Sequence, residues 1–136
     1  MTDVKFVLDS SVLSEYKNGG ECVKQIMHMI IDGEVKAGIS PLSLTTLWSD
    51  HEFDRKTEIG FTTILEFVES IELDESIAKG MSLYISGTEN DPTSLEIAAV
   101  ICSAQSLGCP IVSERVGVYS EADVEVLNCQ GYMAKF

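Results

Sequence analysis

Residues 6–13 read FVLDSSVL, and this stretch decides the fold. A β-branched and aromatic run over residues 4–8 ends at Asp9, and the apolar residues at positions 10–17 then recur at helical spacing. A strand therefore passes directly into a helix at an acidic residue. Asp9 stands at the carboxyl end of that first strand.

The rest of the chain continues to alternate between strands and helices. Strands are predicted at residues 35–39, 71–73, 110–113 and 124–127, and helices over residues 23–33, from residue 41, over 56–70, from 74 to 84 and from 92 to about 107. This alternation predicts an α/β protein, a three-layer α/β/α sandwich around a central parallel sheet. The length of 136 residues is that of one domain, so a single domain is expected over residues 1–136. Ligands of such sheets bind beyond the carboxyl ends of the strands, which makes Asp9 the first candidate site residue.

The charge of the chain is strongly acidic. Nine Lys and Arg stand against 22 Asp and Glu, giving a formal net charge of −13 and a pI near 4.3. Non-specific nucleic-acid affinity comes mostly from Lys and Arg that neutralise phosphates, so RNA would need a local basic strip or a cationic partner. An acidic surface that only keeps the protein soluble explains the same charge equally well.

Four cysteines, Cys22, Cys102, Cys109 and Cys129, are spread along the chain without a C-x-x-C pair. Zinc sites need closely spaced pairs of ligands, so this spacing argues against zinc. Cys102 also lies in an apolar run. The four residues are predicted to be buried free thiols.

The sequence shows neither a targeting segment nor a membrane span. No basic segment precedes an apolar stretch at the N-terminus, and no run approaches the roughly 18 to 20 apolar residues that a span needs. We therefore expect a cytoplasmic protein with no membrane partner.

Three local patterns resemble the PIN domain found in toxin ribonucleases and in many archaeal proteins. They are residues 6–13 (FVLDSSVL), 64–77 (ILEFVESIELDESI) and 94–114 (SLEIAAVICSAQSLGCPIVSE), and the resemblance covers nearly the whole chain. It implies a hydrolase of toxin–antitoxin type, in which clustered carboxylates hold Mg²⁺ or Mn²⁺ ions that activate water for phosphodiester hydrolysis.

The resemblance expects four acids, and three of them are replaced here. Asp9 remains in register after the first strand. Thr46, Ser94 and Arg115 stand at the other three positions. The site is therefore degenerate, with Asp9 as its one retained metal ligand and catalytic candidate.

Displaced acids in the helix that carries Ser94 could compensate, and helix geometry ranks them. Asp91 precedes Ser94 by one turn and projects from the same face, which makes it the second candidate for metal binding and catalysis. Glu96 lies about 200° from Ser94 around the helix and is predicted to point elsewhere. Asp91 can equally be an ordinary helix cap before Pro92.

Two further acids are candidate metal ligands. Asp50 follows Thr46 by four residues on nearly the same helix face, and Glu114 lies next to the replaced position 115. Asp50 at a solvent-facing helix end and Glu114 as a polar strand end are the alternative interpretations. Three serines, Ser11, Ser94 and Ser113, would supply supporting hydroxyls.

Two functional hypotheses remain open. The first is a Mg²⁺- or Mn²⁺-dependent ribonuclease with weakened or lost catalysis. The second is a non-catalytic PIN-like module that binds RNA or a protein, such as a cognate antitoxin-like partner. A homodimer could form through apolar surface at Met27, Met29 and Ile31, although the same residues could belong to the core.

Overall fold

The computed structural model describes residues 3–50, 54–85, 92–120 and 122–135. Within them five short strands form one sheet in the order β3-β2-β1-β4-β5, and every pair in it is parallel. The strands are β1 (Phe6–Leu8), β2 (Ala37–Ile39), β3 (Glu69–Ser70), β4 (Ile111–Val112) and β5 (Val126–Leu127). The predicted central parallel sheet is confirmed.

The central position of β1 explains where the candidate site lies. Leu8 is in register with Ile39 of β2 on one side and with Val112 of β4 on the other. The carboxyl ends of these neighbouring parallel strands therefore meet at one edge of the sheet. Asp9 and Ser113, which directly follow β1 and β4, are brought together there.

Helices cover both faces of the sheet. They are α1 (Ser10–Lys17), α2 (Glu21–Ile31), α3 (Pro41–Asp50), α4 (Arg55–Leu65), α5 (Glu75–Ile85), α6 (Pro92–Leu107) and α7 (Cys129–Lys135), with a 3-10 helix at Val116–Tyr119. Phe6 and Leu8 pack in one apolar cluster and Val7 in a second one, as strand alternation requires of a sheet with two covered faces. The three-layer α/β/α sandwich is thus confirmed. None of the described helices is long and apolar enough to cross a membrane.

The predicted helix over residues 56–70 was too long, and its buried face was only partly right. Helix α4 ends at Leu65, and β3 occupies residues 69–70 instead of 71–73. The helical spacing of this segment predicts an apolar stripe that includes Ile59, Ile64 and Phe67. Ile64 is buried, as predicted, but Ile59 and Phe67 are 56% and 45% exposed. Phe61 is buried instead, and its ring packs edge-to-face on Trp48 at 5.9 Å. The helix is therefore rotated so that Phe61 and Ile64 face the core.

Helix α7 was not predicted, and it overturns part of the cysteine interpretation. The helix packs on α2 and β5, and its Tyr132 ring lies 4.6 Å from that of Phe6. Its first residue, Cys129, forms a disulfide with Cys22 of α2, across a Cα–Cα distance of 6.0 Å. This distance is within the usual range of disulfides. Cys102 and Cys109 are buried free thiols, as predicted.

Only part of the apolar surface suggested for a homodimer on α2 is exposed. Met27 is fully buried in the core beside β1, whereas Ile31 is 36% exposed at the end of the helix. The helical spacing of Val23, Ile26, Met27 and Ile30 predicts that these four residues form the buried stripe of α2, and all four are buried. Met27 therefore cannot contribute to a contact between subunits.

Candidate functional site

Asp9 is fully buried between β1 and α1 and is surrounded by hydrogen-bond donors. As the N-cap of α1 it accepts a hydrogen bond on Oδ1 from the backbone N–H of Ser11 at 3.0 Å, and the Ser11 hydroxyl donates to the same oxygen. Its Oδ2 accepts from Ser113 Oγ at 2.7 Å, from Arg115 Nε at 3.1 Å and from Tyr119 OH at 2.6 Å. An ionised carboxylate has about four lone-pair sites, so these donors occupy Asp9 completely.

A second carboxylate, Glu96 of α6, is also fully buried and faces the first turn of α1. Its Oε2 accepts from the backbone N–H of Ser10 at 3.0 Å. Its Oε1 accepts from Ser10 Oγ at 3.0 Å and from Arg115 Nη2 at 2.6 Å. Asp9 and Glu96 thus satisfy two of the free N–H groups at the positive end of α1.

Arg115 joins the two carboxylates. Its guanidinium forms ion pairs with Asp9 through Nε and with Glu96 through Nη2, and its side chain is only 25% exposed. Burial acts to lower the pKa of Arg115, but the negative charges of Asp9 and Glu96 and their hydrogen bonds raise it above its ordinary value. We call Asp9, Glu96, Arg115 and Tyr119 the Asp9 cluster.

One short segment after β4 supplies the three donors to Asp9 Oδ2, which are Ser113, Arg115 and Tyr119. The strand ends at Val112, and the Arg115 backbone N–H donates to Ser113 Oγ at 3.0 Å, which tightens the turn. The 3-10 helix Val116–Tyr119 then brings Tyr119 back over the end of β1. The Tyr119 side chain is buried, and burial followed by the negative charge of Asp9 raises its pKa above the ordinary value of 10.0.

We expect the stability of the protein to fall above pH 10 partly because of Tyr119. Its folded-state pKa is raised, so its contribution is complete below the unfolded pKa of about 10 and is lost as the pH rises further. The free energy of unfolding then decreases by about 1.4 kcal/mol per pH unit for this group. Urea unfolding of Tyr119→Phe between pH 8 and pH 11 should show a shallower loss above about pH 10. Tyr84→Phe, outside the cluster, is the control, and equal slopes in Tyr119→Phe and the unmodified protein would contradict this assignment.

Two of the serines predicted as supporting hydroxyls lie at the site. Ser11 and Ser113 both donate to Asp9, and their own hydroxyl oxygens are 3.2 Å apart. Ser94 lines a separate cavity with Tyr84, Ile97 and Val118. The positions of these serines follow from the strands and helix starts that carry them.

Of the three acids predicted as displaced metal ligands, Glu114, Asp91 and Asp50, the structure describes the side chain of Glu114. Glu114 donates its backbone N–H to Ser11 Oγ, but its carboxylate accepts from the backbone N–H of Cys129 at 3.4 Å, next to the disulfide. Asp91 lies outside the described residues. Asp50 is the last residue of α3, and its side chain lies outside what the structure describes.

The orientation that helix geometry predicted for Glu96 was wrong. The prediction took the direction of Ser94 as the direction of the site, whereas α6 places Ser94 toward the cavity at Tyr84 and Val118. Glu96, about 200° further around the helix, is the residue that faces α1. A Glu within the apolar pattern of α6 needs a cation if it is buried, and Arg115 is that cation.

These side chains do not fit a divalent metal ion. No group of three His, Cys, Asp or Glu that could hold one is found in residues 3–50, 54–85, 92–120 and 122–135. Mg²⁺ demands oxygen ligands in octahedral geometry at about 2.0–2.1 Å. Here the lone pairs of Asp9 are taken by five donors, and the guanidinium of Arg115 already forms an ion pair with each of the two carboxylates. Thr46, at another of the replaced positions, is buried and donates to Leu42 O of its own helix at 3.2 Å.

The chain has the PIN-domain fold, as its five-stranded parallel sheet and its similarity to solved structures show. Three similar solved structures are DNA-bound VapBC from Salmonella typhimurium, a toxin–antitoxin complex from Klebsiella pneumoniae, and VapBC2 from Rickettsia felis bound to a DNA fragment from its promoter. Their TM-scores are 0.70, 0.70 and 0.69 and their identities 18%, 12% and 11%, over 93%, 92% and 92% of this chain and 98% of each matched chain. No family model and no curated protein sequence matches the chain. At these identities the likeness is one of fold.

Proposed function

We propose that this chain is a non-catalytic PIN-fold interaction module of toxin–antitoxin type, in which an internal arginine takes the place of the metal ion. One observation carries the proposal. The guanidinium of Arg115 forms ion pairs with both buried carboxylates at the carboxyl end of β1. A PIN-like site that has its own permanent counter-ion needs no metal to be stable.

A guanidinium cannot do the chemistry of a metal ion. A catalytic metal holds water in an open coordination position and lowers its pKa, so that a hydroxide forms near neutral pH. The guanidinium only donates hydrogen bonds and stays protonated at every physiological pH. Arg115 therefore supplies charge neutralisation without a nucleophile.

The charge of the molecule also favours a protein partner over RNA. Two carboxylates and one guanidinium leave the Asp9 cluster negative, and the whole chain carries a formal charge of −13. The negative charge of the Asp9 cluster and that of the whole chain both repel the phosphates of RNA. The similar structures include complexes described as VapBC and as toxin–antitoxin, which supports an antitoxin-like protein as the partner. In this proposal the chain acts in the cytoplasm as a single domain.

A test of metal binding and RNA cleavage separates this proposal from the enzyme. We expect millimolar Mg²⁺ or Mn²⁺ to leave the melting temperature unchanged, because Asp9 and Glu96 are both already paired with Arg115 and surrounded by hydrogen-bond donors. Single-stranded RNA incubated with either metal should be cleaved no faster than with the Asp9→Asn variant. A metal-dependent rise in melting temperature, together with cleavage that Asp9→Asn abolishes, would refute the proposal.

The second candidate is a weak Mg²⁺- or Mn²⁺-dependent ribonuclease. The position of Asp9 favours it, since this carboxylate lies at the carboxyl end of the central strand beside Ser11 and Ser113. It requires Arg115 to leave Asp9 so that a metal ion can bind. The same test detects a protein in which Arg115 has left Asp9. Metal binding would then raise the melting temperature, and Asp9→Asn would abolish that rise.

A further inference from the structure

The disulfide between α2 and α7 has one accessible sulfur and one buried sulfur. Cys129 is fully buried, whereas Cys22 is half-buried and lines a cavity of about 370 Å³. Cys129 does not belong to the lining of that cavity. A thiol that enters from solvent therefore meets the sulfur of Cys22 first.

The wall of this cavity is acidic. Glu15, Glu21 and Glu114 line it, and its other lining residues besides Cys22 are neutral: Gly20, Val23, Asn128 and Gln130. Lys24 lies beside the cavity, where its Nζ is 4.0 Å from Glu21 Oε1 in an exposed pair. Exposed pairs at this distance are weak, so the cavity keeps a negative potential. Such a potential slows the entry of anions and favours cations.

We propose that Cys22–Cys129 is a thiol-reducible modification site that opens from this cavity at Cys22, and that the acidic wall selects thiols without an added negative charge. The disulfide connects residues 107 positions apart and fastens the C-terminal helix to α2. In a reducing compartment such a bond is made and broken, whereas in an oxidising one it persists. The site thus reports the thiol status of its surroundings.

The reaction is an ordinary thiol–disulfide exchange. The thiolate of an incoming thiol attacks Sγ of Cys22, the S–S bond breaks, and Cys129 leaves with the electron pair and takes up a proton. A second thiol attacks the reagent sulfur of the mixed disulfide, and Cys22 leaves as a thiol. Two reagent thiols are oxidised to one disulfide, and the protein disulfide is reduced to two thiols.

The test compares three small thiols of similar size and different charge: cysteamine, 2-mercaptoethanol and 2-mercaptoethanesulfonate. Reduction of the oxidised protein is followed by alkylation and peptide mapping, with each rate divided by the thiolate concentration. We expect the cationic thiol to reduce the disulfide fastest and the anionic thiol slowest, with a ratio of about tenfold between these two rates at low salt. This ratio of rates should become smaller in roughly 1 M NaCl, where the Debye length is about 3 Å.

Matched variants locate the selectivity. Glu15→Gln and Glu21→Gln should lower the ratio between the rates of the cationic and the anionic thiol. Glu72→Gln is the control and should leave this ratio unchanged, because Glu72 lines another cavity near β3, at the opposite edge of the sheet from β5. A trapped mixed disulfide should carry the reagent on Cys22. The proposal would be overturned by equal rates for the three thiols, by a ratio of rates that Glu15→Gln and Glu21→Gln leave unchanged, or by an adduct on Cys129. Peptide maps of the air-oxidised protein in which Cys22 and Cys129 are not linked would overturn it as well.

Discussion

Replacement of Arg115 by methionine is expected to lower the free energy of unfolding by about 3–5 kcal/mol, since removal of one partner from a buried ion pair leaves an uncompensated charge. Here two carboxylates lose their counter-ion at once, and both Asp9 and Glu96 are fully buried. Methionine keeps most of the apolar stem of the side chain, so the loss reports the charge and the hydrogen bonds. Urea unfolding at neutral pH measures it.

The control for this substitution is Arg55→Met. Arg55 is exposed at the first position of α4 and forms no ion pair among those that the described residues contain. Its replacement should change the free energy of unfolding by no more than about 0.5 kcal/mol. A loss in Arg115→Met no larger than in Arg55→Met would contradict the role assigned to Arg115.

The same variant should acquire a response to metal ions. Without the guanidinium, Asp9 Oδ2 and Glu96 Oε1 each lose one donor and their shared cation, and Mn²⁺ can take the place of that cation. Millimolar Mn²⁺ should then raise the melting temperature of Arg115→Met and leave that of the unmodified protein unchanged. Asp9→Asn added to Arg115→Met should remove the response. If both proteins responded equally, metal and arginine would not compete for one site.

The fold was predictable because its signals are local. Residues 6–13 combine a strand, an acid and a helix start, and Gly33 and Gly108 end helices at positive φ values of 78° and 66°. The position of Asp9 follows from the same pattern, and Ser113 follows because β4 pairs directly with β1. Such features depend on neighbours in sequence and on the rules of parallel sheets.

The pairing inside the site was not predictable from periodicity. The contact between Glu96 and Arg115 depends on the rotation of α6 and on the turn after β4, which strand and helix patterns leave undetermined. The resemblance to PIN domains identified position 115 as one that has lost its acid. The structure shows that the arginine there has a structural role, since its positive charge pairs with Asp9 and Glu96. The sequence signal that points to the pair is energetic: a Glu inside a helix as apolar as α6 requires a cation nearby.

Helix α7 and its disulfide were missed for a related reason. The helix has seven residues and a glycine within it, so its sequence gives a weak helix signal. Its position depends on packing of Tyr132 against Phe6, residues that lie at opposite ends of the chain. The proximity of Cys22 and Cys129 is therefore a product of the complete fold, and cysteine spacing alone does not reveal it.

Loss of this disulfide is expected to lower the free energy of unfolding by about 4–5 kcal/mol, because it crosslinks residues 107 positions apart and the entropy of the unfolded chain rises when it is removed. For a chain of this length the melting temperature should fall by about 15 °C. The measurement is urea and thermal unfolding of the oxidised protein, the reduced protein and Cys22→Ala/Cys129→Ala. Cys102→Ala is the control, since this free thiol is also buried and its loss removes only packing. The double variant should be insensitive to reductant. If the reduced and oxidised proteins unfolded at the same urea concentration, α7 would be held by its apolar contacts alone.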